Sequence, residues 1–446
     1  MLREDEVDDP NDMERAASGL IRLTCLAILA GAATGFVAAI FRIVLGLGDR
    51  WVAEAAARAR DLDHGLAILM AVVAAMLGLA VWAVVRFSPE TAGSGIPHVE
   101  KVIEGTAIAG GLRLLVVKFV GGALAMSGGL ALGREGPSVQ MGASLAHLTA
   151  RTFRISWADQ RILIAACAGA GLTAAFSAPI AGAVFVLEEL VRRFETRLAI
   201  CALMASAAAI TVTGQIIGAG PELPADLVAQ TASFAHPFFV LFGLVAGIFA
   251  LVYNRLLIFA MDAMERIPLS PVLRAAAIGL GVGALIWSAP HIVGPGDNLV
   301  RSAMHGDEAL HWLPLLLVFR LGFSVLSYAV GTPGGIFAPL LVLGAELGLL
   351  FGLGLAQVMP EEMHDPRTFA VAGMAAVFTG VVRAPLTGIV IVTEMTGTTA
   401  LLLPIMVSCA CAMLVATIAR NRPIYDVLRE RSGSRVQERG AAAPRN

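Results

Sequence analysis

The chain has 446 residues, 57% of them hydrophobic and only 15% charged, with a mean hydropathy of +0.78. Soluble domains carry roughly 25% charged residues, so this composition excludes a soluble enzyme, a disordered chain and a collagen-like fibre. Lys+Arg 32 against Asp+Glu 34 leaves a formal charge of −2, which gives no indication of a basic face for nucleic acid. What remains is a polytopic protein of the lipid bilayer.

Residues 1–17 form a polar tail rich in acids (Glu4, Asp5, Glu6, Asp8, Asp9, Asp12, Glu14), without the basic start of a secretory leader. Apolar segments follow at about 20–41, 65–87, 107–132, 160–190, 196–219 and 236–262. They continue at about 272–290, 312–330, 335–358, 368–395 and 399–419. A crossing helix needs ~20 apolar residues; most segments are long enough, and 160–190 is too long for one straight span. Gly31 and Gly35 stand four apart, a candidate for close helix contact. Polar stretches at 220–226, 291–310 and 359–367 read as loops. Cys25, Cys167, Cys201, Cys409 and Cys411 fit neither a disulfide framework nor a zinc site, and no cofactor or metal motif is present. The last 27 residues are arginine-rich, which predicts a cytoplasmic C-terminus, and the N-terminus is placed inside as well.

Two stretches repeat. Residues 174–189 read AAFSAPIAGAVFVLEE, and 375–394 read AAVFTGVVRAPLTGIVIVTE. Aligned on Pro179 and Pro385, each proline follows Ala and precedes Gly at +3 (Gly182, Gly388) and Glu at +9 (Glu188, Glu394). Further Gly-Pro breaks lie upstream of both, near 136 and 338. Such repeats predict inverted halves whose broken helices meet near the bilayer midplane, where irregular backbone survives only if protein or a water-filled cavity satisfies it.

Three interruptions mark the meeting point: Gly93-Ser94-Gly95-Ile96-Pro97, Gly133-Arg134-Glu135-Gly136-Pro137 and Gly334-Gly335-Ile336-Phe337-Ala338-Pro339. In each, glycines precede a proline and an apolar stretch, so each predicts a helix N-terminus with proline at the first helical position. Free N–H groups and the positive end of the helix dipole attract anions there. Glu135 is then an ionisable residue inside the membrane, a functional candidate by default; a carboxylate capping the helix is the competing reading. Glu188 and Glu189 close the run AGAVFVLEEL and, by themselves, read as a solvated helix end. Lys118, in the apolar run VVKFVGG, reads as paired with a buried partner, and Arg320 is paired or snorkelling.

The three motifs, in this order, resemble those of the CLC family of chloride channels and proton-coupled chloride exchangers over about residues 18–430. The family's tyrosine near the end of the last membrane helix is matched by Tyr425, in Arg422-Pro423-Ile424-Tyr425. The resemblance implies an anion held by the Ser94 and Tyr425 hydroxyls and the Ile336 and Phe337 amides. It makes Glu135 the gate and proton carrier, Glu189 the internal proton glutamate of the exchangers, and Lys118 a lysine near the anion path. His98, after GSGIP, departs from the acidic or amide residue more usual there.

The fold expected is therefore all-α, with two inverted-topology halves of tilted and broken helices, at about 18–225 and 226–430. Tails of 1–17 and 431–446 flank the membrane domain, without the paired nucleotide-sensing domains of many relatives. The function expected is a chloride/proton antiporter, without cofactor, homodimeric, in a bacterial inner membrane with both termini cytoplasmic. A passive channel is the nearest rival, disfavoured by Glu189. A fluoride exporter fits the Ser94 and GREGP pattern less well. An intramembrane serine hydrolase would need His98 to activate Ser94.

Overall fold

The structure is a computed structural model that describes residues 10–223, 236–305, 311–359 and 365–432, with backbone alone at 10–17, 236 and 305. The expected division near residue 225 and the tail beyond residue 432 lie outside the described residues. Among those described the protein is all helical, with two isolated backbone bridges and no strand.

The first set of helices comprises α1 (Pro10–Ala59), α2 (Gly65–Phe87), α3 (Ile96–Glu104), α4 (Leu112–Ser127), α5 (Glu135–Thr152), α6 (Trp157–Phe176), α7 (Pro179–Phe185) and α8 (Thr196–Ile217). The second comprises α9 (His236–Arg266), α10 (Pro271–Ser288), α11 (Asp297–His305), α12 (Leu313–Ala329), α13 (Phe337–Val358), α14 (Arg367–Val382), α15 (Pro385–Thr396) and α16 (Leu402–Ile418). Residues 424–432 add α17. The packing repeats with an offset of eight helices. α1 packs on α8 as α9 packs on α16, α5 on α6 as α13 on α14, and α4 on α5 as α12 on α13.

Two corresponding pairs, α2 with α10 and α7 with α15, pack directly on each other. Gly279 lies against Ala74 and Gly283 against Met70, so α2 and α10 run antiparallel. Antiparallel counterparts are what an inverted repeat requires. The glycines permit this approach because a side chain at either would collide with the facing backbone. Gly31 and Gly35 do the same for α1, lying against Ala205 and Ala209 of α8.

Several segment readings change. α1 runs to Ala59, well past residue 41, because no Gly-Pro break interrupts it and Leu45, Val52 and Ala56 remain buried. The run 160–190 divides where Ser177 turns left-handed (φ +55) and Pro179 removes an N–H donor. The run 368–395 divides likewise at Arg383 (φ +75) and Pro385. The polar stretch 291–310 is more than a loop, because Asp297 opens the nine-residue helix α11, the counterpart of α3.

Six of the described helices are long and apolar enough to cross a membrane: α1, α2, α8, α9, α10 and α13. Large apolar side chains such as Leu29, Phe36, Leu79 and Phe259 stand exposed on them, as an integral membrane protein requires. The polar contacts sort into two faces. On one, Arg22 near the start of α1 donates to Phe153 O (3.2 Å) at the end of α5, and Arg431 of α17 pairs with Asp262 of α9 (2.6 Å). Both contacts lie near the described ends of the chain. On the opposite face Arg42 and Arg134 reach Ala174 and Ala175 at the end of α6.

Candidate functional site

The three Gly/Pro motifs converge although up to about 240 residues separate them. Backbone hydrogen bonds stitch them together. Gly93 N–H donates to Thr332 O (3.1 Å), Gly334 N–H to Gly93 O (3.0 Å), Gly133 N–H to Gly335 O (2.9 Å) and Gly335 N–H to Gly133 O (2.7 Å). From this knot α3, α5 and α13 begin, each presenting first-turn N–H groups without an intrahelical acceptor. The prolines sit inside the first turn rather than at its first position, since the helices start at Ile96, Glu135 and Phe337, ahead of Pro97, Pro137 and Pro339. A missing donor costs little there for the same reason.

Glu135 is fully buried and occupies the site itself. Its Oε1 accepts from Phe337 N–H at 2.7 Å, across 202 residues of sequence, at the N-terminus of α13. Gly133 and Gly335 wall this carboxylate, and a Cβ at either would collide with its oxygens. A Cβ at Gly136 would strike Ser94, and Gly95 holds a left-handed turn (φ +87) that caps α3. Glycine at these positions is demanded by space and by φ.

The Ser94 and Tyr425 hydroxyls are buried beside each other, and neither oxygen, nor Glu135 Oε2, has a protein hydrogen-bond partner within 3.5 Å. Orphaned donors are costly in a dry interior unless something else meets them. Two hydroxyls and helix-end amides form a donor set without a formal charge, which suits a small anion. The Phe337 ring packs edge-on against Phe378 (4.6 Å) and tilted against Tyr425 (5.9 Å), fixing the amide's direction and the hydroxyl's. Ile336 is the N-cap residue of α13, directly before Phe337. Lys118 is fully buried, and its Nζ donates to Thr91 O (3.0 Å) and Gly93 O (2.7 Å), so it braces the GSGIP turn.

If these hydroxyls hold a small anion such as chloride, Ser94→Ala and Tyr425→Phe should each weaken its binding by about fivefold, the net worth of one hydrogen bond of about 1 kcal/mol. Thermal stability should stay at the parent value, because neither hydroxyl has a protein partner to lose. Calorimetric titration checks the first and a melting curve in detergent the second.

Glu189 lies in the π-helical turn Val186–Leu190 after α7 and is 3% exposed, so it is not a solvated helix end. Arg192 bonds it at 3.3 Å and also pairs with Asp426 (2.9 Å), the residue after Tyr425. An open cavity of about 420 Å³ adjoins it, lined by Leu187, Glu188, Arg192, Arg383, Met413 and Pro423. Its neighbour Glu188 is fully engaged elsewhere. Both Glu188 oxygens accept from the start of α15, from Leu386 N–H (2.9 Å) and from Thr387 N–H and Oγ1 (2.7 Å each). Glu394 returns the contact, accepting from Ile180 (3.0 Å) and Ala181 (2.8 Å) at the start of α7. The repeated Glu at +9 is thus a reciprocal helix cap across the antiparallel pair α7–α15.

Glu188→Ala leaves three donors unmatched and should lower folding stability by about 2–3 kcal/mol. The ratio of protons to chloride in the folded fraction should be unchanged. A mutant that melts normally but loses coupling would assign Glu188 to proton transfer instead.

Of the two readings of Arg320, the paired one holds. Arg320 does not snorkel; it is buried and donates to the carbonyls of Ile292 (3.1 Å), Gly294 (2.9 Å) and Pro295 (3.0 Å). His98 Nδ1 faces Gln140 Nε2 (3.2 Å) while Ser94 Oγ has no partner, so no Ser–His pair exists for hydrolysis. Tyr328 passes unnoticed in the sequence, yet its hydroxyl accepts from Ser94 N–H at 3.4 Å. The rarity of tyrosine, three in 446 residues, was the available signal. No group of residues that could hold a metal ion occurs among the described residues.

Residues 76–417 match the family described as voltage gated chloride channel. The H(+)/Cl(-) exchange transporter ClcA of Vibrio parahaemolyticus is 33% identical over 445 residues, covering 94% of this chain and 92% of that one. ClcA of Vibrio cholerae is 37% identical over 359 residues, covering 78% and 76%. Among solved structures, a slow cyanobacterial Cl-/H+ antiporter superposes with a TM-score of 0.89 at 31% identity, over 92% of this chain and 98% of that one. A eukaryotic CLC transporter shares the fold, with a TM-score of 0.76 at 24% identity over 92% and 74%.

Proposed function

As a member of the voltage-gated chloride channel family, this integral membrane protein is a proton-coupled chloride antiporter and not an enzyme, and we propose that Glu135 and Glu189 carry its protons. The observation that carries the reading is the Glu135 carboxylate seated on the Phe337 amide. A carboxylate in that place competes with an anion for the same helix-end donors. Protonation removes its charge, weakens the bond roughly twofold and releases the side chain, so an anion enters as a proton leaves with the gate. Exchange follows because one group cannot be proton-loaded and anion-like at once.

In this reading chloride is held by Ser94, Tyr425 and the Ile336 and Phe337 amides once Glu135 withdraws. Gly93, Gly95, Pro97, Gly133, Arg134, Gly136, Pro137, Gly334 and Gly335 shape the turns, and Lys118 braces the first of them. Protons enter by the cavity at Glu189, on the face that carries the described chain ends. Positive-inside counting makes that face cytoplasmic, in a bacterial inner membrane, and the working unit is a homodimer.

The test is a sealed vesicle carrying the purified protein, with a chloride gradient imposed and external pH recorded. Protons should move uphill, and a proton ionophore should collapse the pH change. Chloride flux with no proton movement in the wild-type protein would make it a channel.

A further inference from the structure

The residue before Glu135 enters a charge network that no motif announces. Arg134 is the N-cap residue of α5, directly before Glu135. Its guanidinium donates to Glu222, to Asp297 Oδ2 (3.4 Å) and to Ala175 O (2.9 Å). Arg42 of α1 reaches the same Glu222 oxygen at 3.3 Å while also bonding Ala174 O (3.0 Å) and Ser177 Oγ (3.1 Å). Arg301 of α11 donates to the Glu222 carbonyl at 2.8 Å, and Leu223 N–H is fastened to Met395 O at 2.9 Å. Asp49 of α1 stands within electrostatic reach of Arg134 and Asp297.

Glu222 belongs to the segment that joins the two halves. Its side chain is 10% exposed, against 15% for Arg42 and 17% for Arg134, so these charges meet partly out of water, where they are weakly screened. The charged groups around it come from α1 (Arg42, Asp49), the α5 cap (Arg134) and α11 (Asp297, Arg301). Two guanidiniums share one carboxylate oxygen, and one of them adjoins the gate.

We propose that Glu222 is a positioning residue for the gate, holding Arg134 beside Arg42 and setting the charge that Glu135 meets from its neighbour in the chain. The proposal rests on the reading of Glu135 as gate and proton carrier. Removing the Glu222 charge leaves Arg42 and Arg134 with only Asp297 and the more distant Asp49 against them, and the added positive potential next to Glu135 favours a carboxylate over a carboxylic acid. Removing the Arg42 charge acts with the opposite sign. Simple loosening of the loop would displace both variants the same way.

The experiment measures chloride flux from vesicles over a series of symmetric pH values, with the proton-to-chloride ratio recorded alongside. Glu222→Gln should move the midpoint of the pH profile down by about half a unit to one unit, and Arg42→Gln should move it up by about as much. Glu222→Asp and Arg42→Lys keep the charges and should stay near the wild-type midpoint, with coupling retained in all four. Midpoints that match the wild type in both Gln variants, or that move in the same direction, overturn the proposal. If Glu222→Gln is not recovered folded, Arg42→Gln against Arg42→Lys decides, and equal midpoints in that pair overturn it. Glu135→Gln separates the two readings. If that variant keeps the wild-type pH profile, the gate reading fails; if it abolishes the profile while Glu222→Gln leaves the midpoint in place, only the Glu222 proposal fails.

Discussion

Glu135→Gln is expected to stop proton movement while chloride still passes. Glutamine matches glutamate in size and can still accept from Phe337 N–H through its carbonyl oxygen, so the cradle of Gly133 and Gly335 is undisturbed. It carries no charge and cannot take up a proton. The bond to the α13 N-terminus drops from charge-assisted to neutral, roughly half as strong, and chloride competes for the site at every pH. Proton flux should fall to the background left by an ionophore, while chloride flux becomes nearly independent of pH. Stability should hold or rise, because burying an amide costs less than burying a carboxylate. Proton uptake at the wild-type rate would remove Glu135 from the proton path, and failure to fold would leave it as the capping residue of α5.

Glu189→Gln is expected to uncouple transport from the other side. Chloride flux should persist, because the anion donors on Ser94, Phe337 and Tyr425 do not include this side chain. Proton pumping should disappear, because of the two carboxylates at the 420 Å³ cavity Glu188 is taken up by the start of α15, which leaves Glu189 placed to accept a proton from solvent. The Arg192–Asp426 pair at 2.9 Å remains to hold α17, and with it Tyr425, in place. Calorimetric chloride binding should therefore match the wild type even as the pH signal vanishes. If the variant pumps as well as the parent, the protein is still an exchanger but its proton entrance lies elsewhere. Glu188 is then a poor substitute, since both its oxygens are taken by α15.

These two glutamates differ in how they could be recognised. Glu135 stands in a motif whose glycines and proline dictate a helix N-terminus locally, so its place at a helix start follows from neighbouring residues, although its bond to the Phe337 amide is a tertiary contact. Glu189 sits in a run that ordinary charge patterning reads as a solvated end, and only the resemblance set it apart from Glu188. The structure separates the pair by direction. One turns into the α15 N-terminus, the other toward Arg192 and the cavity.

The amino-acid sequence by itself determined the membrane class, the repeat and the three helix starts, with Glu135 singled out as an ionisable residue in one of them. These depend on composition, on the missing N–H of proline or on spacing within a few residues, which a linear reading contains; Ser94, Ile336, Phe337 and Tyr425 were singled out by the resemblance alone. Only the tertiary structure decided that Gly93, Gly133 and Gly335 are stitched into one knot, and that Glu188 and Glu394 cap each other's repeats. It likewise decided that Lys118 braces a turn, and that Glu222 gathers Arg42 and Arg134. Those outcomes pair groups from about 25 to more than 200 positions apart. In a bilayer the partner of a buried polar group is chosen by which helices lie side by side, and no local pattern records that choice.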